Sequence, residues 1–237
     1  MHMKQAIKLL FSFFNRLFCN IKPNIEVVRG FFIDIRIKIS TGNIFFSSGD
    51  VISCRFVIDG KDCSLYNHGR LSNSECRILG NNCSVIIEDE CWIRNSIIIV
   101  RGNNCHIKIG KGTTVGSMYM VCMGNANSIT IGEGCMLADN VEIWATDSHA
   151  VLDLQGNLLN PSKPVKIGNH VWIGKQAAIM KGVSIGDNAI VGMRSLVTDN
   201  IASGTLNVGS PSRCIRENIN WDRSFITKYE ASDEYSY

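Results

Sequence analysis

Between Ile131 and Val197 the chain repeats every six residues, and few folds can hold such a sequence. The blocks read IGEGCM LADNVE IWATDS and, after an interruption, IGNHVW IGKQAA IMKGVS IGDNAI VGMRSL. Ile131, Leu137 and Ile143 stand six apart, as do Ile167, Ile173, Ile179, Ile185, Val191 and Val197. A small or β-branched residue follows most of them four places on: Cys135, Val141, Val171, Ala177, Val183, Ala189 and Ser195. An amphipathic helix would space its apolar residues at 3.6 and a half-buried strand at 2. A period of six, with Gly or Ala beside the aliphatic residue, is the hexapeptide repeat of a parallel β-helix. Three hexads make one coil, so this is an all-β solenoid.

A second repeat precedes it. GNNCSVII starts at Gly80, GNNCHIKI at Gly102 and GNANSITI at Gly124, each 22 residues after the last, with a looser copy, GKDCSLYN, at Gly60. Ile87, Ile93 and Ile99 run at six, and so do Ile109, Val115 and Val121. Twenty-two residues fit one coil of three hexads with a four-residue enlargement at one corner, where Gly and Asn tolerate positive φ. The early coils are therefore the same solenoid with a larger corner. No linker interrupts residues 23–216, which read as one domain.

The 237 residues suffice for one elongated domain with a sizeable core. A charged fraction of 19% against 45% hydrophobic residues excludes general disorder, and a net charge of +3 announces no nucleic-acid partner. The 10 cysteines contain no CxxC pair. Cys91 and Cys135 fall in the small inward slot, and Cys63, Cys83 and Cys105 each follow a Gly by three. A free Cys suits such slots as a small hydrophobe, so the chain reads as reduced and cytoplasmic, with no metal. Residues 1–22 place Ile7, Leu10, Phe11, Phe14, Leu17 and Phe18 on one helical face among Lys4, Lys8 and Arg16. Asn15 and Arg16 break any signal-peptide core, and the stretch is too short and polar to span a bilayer. It is expected to be a short amphipathic helix that packs on the solenoid or rests at the inner membrane face. Residues 217–237 are expected to form a polar C-terminal cap and tail.

Of five histidines, His149 stands apart. It lies in ATDSHAVLDLQGNLLNPSKPV, a loop at about 146–165 that breaks the repeat. A solenoid wall is monotonous, and insertions are where a site is built. An imidazole with its ordinary pKa near 6.5 accepts a proton at neutral pH, as a general base must. Asp147, Asp153 or a backbone carbonyl is positioned in sequence to orient the ring. His2, His68, His106 and His170 read as structural or solvated.

The segment DSHAVLDLQGNLLNPSKPVKIGNHVWIG, followed by IGDNAIVGMRSLVTDNIASGTLNVGSPSRCIR, resembles the hexapeptide-repeat acyltransferases. It is closest to their O-acetyltransferase branch of sugar, xenobiotic and capsule-modifying enzymes. The resemblance covers roughly residues 80–216. It implies a left-handed parallel β-helix, a homotrimer, and acetyl-CoA as co-substrate in a groove between subunits. Position by position, His149 matches the family's catalytic base and Trp172 the tryptophan lining the reaction centre. Lys175, Met193 and Thr198 match the pantetheine groove, with the Lys175 amide a candidate oxyanion donor. Arg213 and Arg216 match the pair near the nucleotide, where a planar guanidinium suits phosphate. Lys181 and Arg194 are further candidates for that groove.

Two departures redirect the acceptor. The asparagine that contacts sugar in the galactoside and maltose members falls near Met118 here, and their N-terminal helical domain is replaced by extra coils. The long front section resembles the capsule, sialic-acid and polysialic-acid O-acetyltransferases. The implied activity is transfer of acetyl from acetyl-CoA to a hydroxyl of a surface glycan, the alternative being a small sugar or a chloramphenicol-type acceptor. A zinc enzyme on the same solenoid would need three converging histidines. A catalytically idle scaffold would leave His149, Trp172 and the paired arginines without a task.

Overall fold

The computed structural model describes residues 25–226 apart from Arg29. Residues 1–22 lie outside them, as does everything after Ile226. The described chain is all-β, a left-handed parallel β-helix of about eight turns. Each turn contributes one strand to each of three sheets, and strand order in every sheet follows the turns without inversion. The first sheet runs from Ile25–Val27 to Ser184–Ile185, the second from Phe32–Ile33 to Ile190–Val191, and the third from Arg36–Ile39 to Leu196–Val197. The second sheet then gains Leu206–Gly209 and, antiparallel to it, Ser212–Arg216.

The register gives two coil sizes. Ser64 pairs with Ser84, 20 residues on, Ser84 with His106 and His106 with Ser128, each 22 on. In the later turns Lys166 pairs with Ser184, Trp172 with Ile190 and Ala178 with Leu196, each 18 on. The extra residues sit where the third sheet turns into the first. Third-sheet strands there are long, as in Glu75–Asn81, Ile97–Asn103 and Met118–Asn125, and shrink to Ala178–Ile179 and Leu196–Val197 later.

That corner is built from stacked identical residues. Gly60, Gly80, Gly102 and Gly124 lie in register, one per turn. Gly102 has φ +121°, and a Cβ placed on it would come within 1.9 Å of the Gly124 carbonyl oxygen. Only glycine lets the turns approach here. Beside them the Asn81 amide donates to Asn103 Oδ1 (3.0 Å), and Asn103 to Asn125 Oδ1 (3.1 Å). Cys63, Cys83 and Cys105 donate their weak S–H to the carbonyls of Gly80, Gly102 and Gly124 at 3.0, 3.3 and 3.2 Å. At the first-to-second corner Cys91 and Cys135 do the same for Gly110 and Gly168, and Thr113 donates its hydroxyl to the Gly132 carbonyl. Cysteine suits this slot because it packs as a hydrophobe yet still supplies a donor. Eight of the nine described cysteines are buried free thiols, and Cys214 is exposed.

The hexad aliphatics from Ile131 onward all point inward; Ile173, Ile179, Val191 and Val197 have no exposed surface. The front coils depart from the six-residue reading in the third sheet. There Ile98 and Val100 face the core, not Ile99; Met120 and Cys122 join the core cluster, and Val121 between them is fully buried but outside that cluster. The lengthened strand shifts the phase, so the hexad count holds only for the first two sheets. Met118 is also a core residue, 3% exposed, so it contacts no acceptor; its outward neighbour is Tyr119, whose ring lies 5.4 Å from that of Trp144. Among the described residues no buried side-chain N or O lacks a hydrogen-bond partner.

Candidate active site

The loop leaves the third sheet after Val141–Trp144 and rejoins the first at Val165–Ile167. Ile129 pairs across it with Val165, 36 residues on, twice the spacing of the coils that follow. Its base is closed by hydrogen bonds from the Lys163 amide and the Asn127 side chain to the Ala145 carbonyl (3.1 and 2.8 Å). Ser162 donates to Thr146 Oγ1 at 3.0 Å, and its Oγ occupies the space above Gly124 that a further turn of the ladder would fill. The loop thus starts where the wide corner ends.

Its outer part is a small hairpin with an antiparallel bridge between Leu152 and Leu158. The Asp153 carboxylate closes the tip, accepting from the Gln155 and Asn157 amides (2.9 and 2.8 Å) and from Asn157 Nδ2 (2.8 Å). These donors, the Asn157 side chain first, hold the Asp153 carboxyl below its ordinary range. Leu152, Leu154, Leu158 and Leu159 stand exposed on this arm, Leu154 completely.

His149 sits at the arm's root, exposed, its amide bonded to the Asp147 carbonyl (2.7 Å). Asp147 does not orient the ring. Its carboxylate is taken by Lys181 Nζ and by Asn160 Nδ2 (2.8 Å). Lys181, foremost, and Asn160 hold the Asp147 carboxyl below its ordinary range. Lys181 also donates to the Asn160 carbonyl (3.0 Å), so within the described chain its ammonium holds the loop. Asn160 is the residue that sequence reasoning missed. Its side chain also donates to the His149 carbonyl (2.8 Å) and accepts from the Val151 amide (2.6 Å). Nothing in a lone Asn before a proline advertises that role.

The other candidates lie elsewhere on the prism. Trp172 opens the strand Trp172–Ile173 of the second sheet, outward and 38% exposed. Lys175, Met193 and Arg194 stack at the corner between second and third sheets. The Arg194 amide bonds the Lys175 carbonyl (2.9 Å), and its guanidinium bonds Gln176 Oε1 (2.9 Å). Lys175 and Met193 occupy the outer position of their turns, and among the described residues neither backbone N–H donates to any group. Thr198 and Arg213 meet around Asp199, at 3.3 Å each. Arg216 stands opposite Leu206 at the far end of the last strand from Arg213, so the two arginines do not converge. Within one chain the third sheet separates this corner from the His149 loop. Among the described residues no group of three His, Cys, Asp or Glu side chains is placed to hold a metal ion.

Comparison with known proteins places the fold. Residues 164–199 match the family described as bacterial transferase hexapeptide (six repeats). The polySia specific acetyltransferase NeuO superposes with a TM-score of 0.72 at 27% identity, over 86% of this chain and 88% of its own. The polysialic acid O-acetyltransferase OatWY superposes with a TM-score of 0.61 at 30% identity, over 85% of this chain and 92% of its own. The chain belongs to the hexapeptide-repeat acetyltransferases. Among curated hexapeptide-repeat relatives, the polysialic acid O-acetyltransferase of Neisseria meningitidis is 33% identical over 131 residues, 54% of this chain and 60% of that protein. The galactoside O-acetyltransferase of Escherichia coli (strain K12) is 38% identical over 93 residues, 39% of this chain and 46% of that protein. The matches therefore span less than two thirds of these curated relatives.

Proposed function

We propose that this chain transfers an acetyl group from acetyl-CoA to a hydroxyl of polysialic acid or a similar surface glycan, working as a homotrimer. The observation that carries this reading is likeness over the whole solenoid, front coils included, to two acetyltransferases named for polysialic acid. The galactoside relative matches only 93 residues.

In the proposed reaction His149 accepts the proton of the acceptor hydroxyl, and the oxygen forms a bond to the thioester carbon. The resulting oxyanion is met by a fixed backbone donor, for which the unpaired N–H of Lys175 is suited. As the carbon–sulfur bond breaks, His149 returns the proton to the departing thiolate. Met193, Arg194 and Thr198 line the course of the pantetheine arm, and Arg213 and Arg216 offer guanidinium groups for phosphate. Lys181 positions the loop.

A second copy is required because His149 stands on one edge of the prism while Lys175 and Met193 stand on another. Two surfaces suit such a neighbour. The outer face of the third sheet presents Ile97, Ile99, Tyr119, Trp144 and Leu196, each half-buried, and the arm presents four exposed leucines. Apolar surface of this extent marks a contact between proteins. A closed three-fold ring lets every arm reach the next subunit. We assign the reaction to the cytoplasm, where acetyl-CoA is made, with residues 1–22 holding the enzyme near the inner membrane face.

Coenzyme A release should be followed with polysialic acid, free sialic acid, a galactoside and chloramphenicol as acceptors, with light scattering alongside. The expected outcome is a kcat/KM that rises with glycan length and falls with added salt, from a particle near three times 26.3 kDa. Equal, salt-independent rates on monomer and polymer would return the protein to the small-acceptor branch, and an active monomer would remove the shared site.

A further inference from the structure

After its last strand the chain reverses and climbs back along the second sheet. The Ile219 amide bonds the Gly204 carbonyl (3.0 Å), Trp221 lies against His170 and Trp172, and Arg223 reaches two turns further toward the front. Trp221 is fixed from three directions. Its ring stacks on the His170 imidazole at 4.2 Å and 5°, its Nε1 donates to the His170 carbonyl (2.7 Å), and the Arg223 guanidinium lies 5.7 Å from its centroid. Arg223 in turn donates to Thr114 Oγ1 (2.8 Å) and to the carbonyls of Gly112, Gly134 and Cys135 (3.3, 3.0 and 2.7 Å). A polar tail is thus pinned to three successive turns through one arginine and one indole.

The free side of Trp221 faces Trp172, with centroids 6.1 Å apart and planes at 47°. Trp172 needs such a neighbour. It projects from a two-residue strand on a flat wall, between Met136 and Ile190 in register. A side chain in that position has more than one staggered rotamer open to it. Trp221 is 7% exposed, yet Trp172 keeps 38% of its surface open. The contact braces the outer indole without covering it, and a tilted ring at this distance is a favoured aromatic geometry.

We propose that Trp221 is a positioning residue for Trp172, and that residues 219–223 form a strap holding that indole in the orientation acetyl transfer uses. This rests on the reading of Trp172 as part of the acetyl-transfer centre. It assigns the C-terminal segment a part in activity beyond covering the solenoid.

The test compares Trp221→Ala, Trp221→Phe, Arg223→Met, Trp172→Ala and the double variant Trp172→Ala/Trp221→Ala, reading kcat, KM and Tm for each. Trp221→Ala is expected to lower kcat/KM about tenfold, Trp221→Phe to recover most of that by restoring the ring, and Arg223→Met to lose about threefold. In the double variant the two losses should not add, because both act through one indole. Additive losses would overturn the proposal. So would kcat/KM values for Trp221→Ala or Arg223→Met equal to wild type, or losses that follow the folded fraction and are not recovered by Phe. Should Trp221→Ala not fold, Arg223→Met and Trp221→Phe decide the matter alone. Trp172→Ala at wild-type kcat/KM would instead sink the underlying reading of Trp172, and so separates the two failures.

Discussion

The front and rear of this solenoid reach the same architecture with different means. From Arg55 to Asn125 each turn spends 20 or 22 residues and a long third-sheet strand, and its corner is a ladder of Gly, Asn and Cys. From Val165 to Val197 each turn spends 18, and the corners are ordinary tight turns. Front turns are held at the corner by repeated hydrogen bonds between like residues. Rear turns lack that ladder of like residues and rest on the aliphatic hexad, the short strand pairings and single corner bonds such as the Arg194 amide to the Lys175 carbonyl. The loop with His149 is inserted at the boundary, with Ser162 resting where the glycine ladder stops. The wide front ends in a platform for the loop, while at one corner of the narrow rear the Lys175 and Met193 N–H groups donate to no described residue.

The largest expected effect tests that ladder. Gly102→Val puts a side chain within 1.9 Å of a backbone oxygen at φ +121°, and neither can yield without moving the next turn. We expect a loss of about 4–5 kcal/mol or more, the range for strain imposed on a special backbone position, seen as insoluble or molten protein by circular dichroism. A cooperative melt within a few degrees of wild type would mean the turns are not held in contact there.

The rear should respond in a graded way. Ile179→Ala, in the centre of the 18-residue turns, is expected to cost about 2–5 kcal/mol with folding retained, read from denaturant midpoints. A cost below ~1 kcal/mol would show that the hexad core can collapse around the cavity, and the contrast with the front would be weaker than described.

Between the two regions, Lys181→Met should loosen the loop root and lower kcat/KM about tenfold, with Tm nearly unchanged. The pH dependence gives a check. Folding depresses the Asp147 carboxyl, so its contribution is complete above the unfolded value near 4 and is lost only as pH falls below that through the folded value. Loop anchoring followed by hydrogen exchange should therefore be flat from pH 8 to 5. A change near neutrality would show that another group holds the loop.

The smallest effect is at the exposed ladder. Asn103→Ala removes one bond on each side and should cost about 1 kcal/mol with activity unchanged. A tenfold activity loss would mean the ladder itself touches an acceptor.

Much of the fold was legible because a six-residue period admits few solutions. The 22-residue Gly-Asn repeat announced the enlarged corner, and the break in the hexads marked the loop. What escaped depended on phase and on distant pairing. Inside a seven- or eight-residue strand the inward set alternates by two, so hexad counting puts Ile99 on the wrong face, while the resemblance to the galactoside members sets core Met118 at an acceptor contact. Lys181 reads as a groove cation because its partner Asp147 is 34 residues away, and no local pattern links them. Trp221 sits in a polar tail whose sequence carries no period. Residues placed by the repeat were found, and residues placed by a single long-range contact were not.

The central claim is that His149, presented where the wide coils end, removes the acceptor's proton. The most direct measurement is coenzyme A release with polysialic acid as acceptor, wild type against His149→Ala, at matched circular dichroism and particle mass. The account predicts a fall of about 10²–10⁴ in kcat, the usual contribution of general acid–base catalysis. A variant that keeps more than half of wild-type turnover would contradict it.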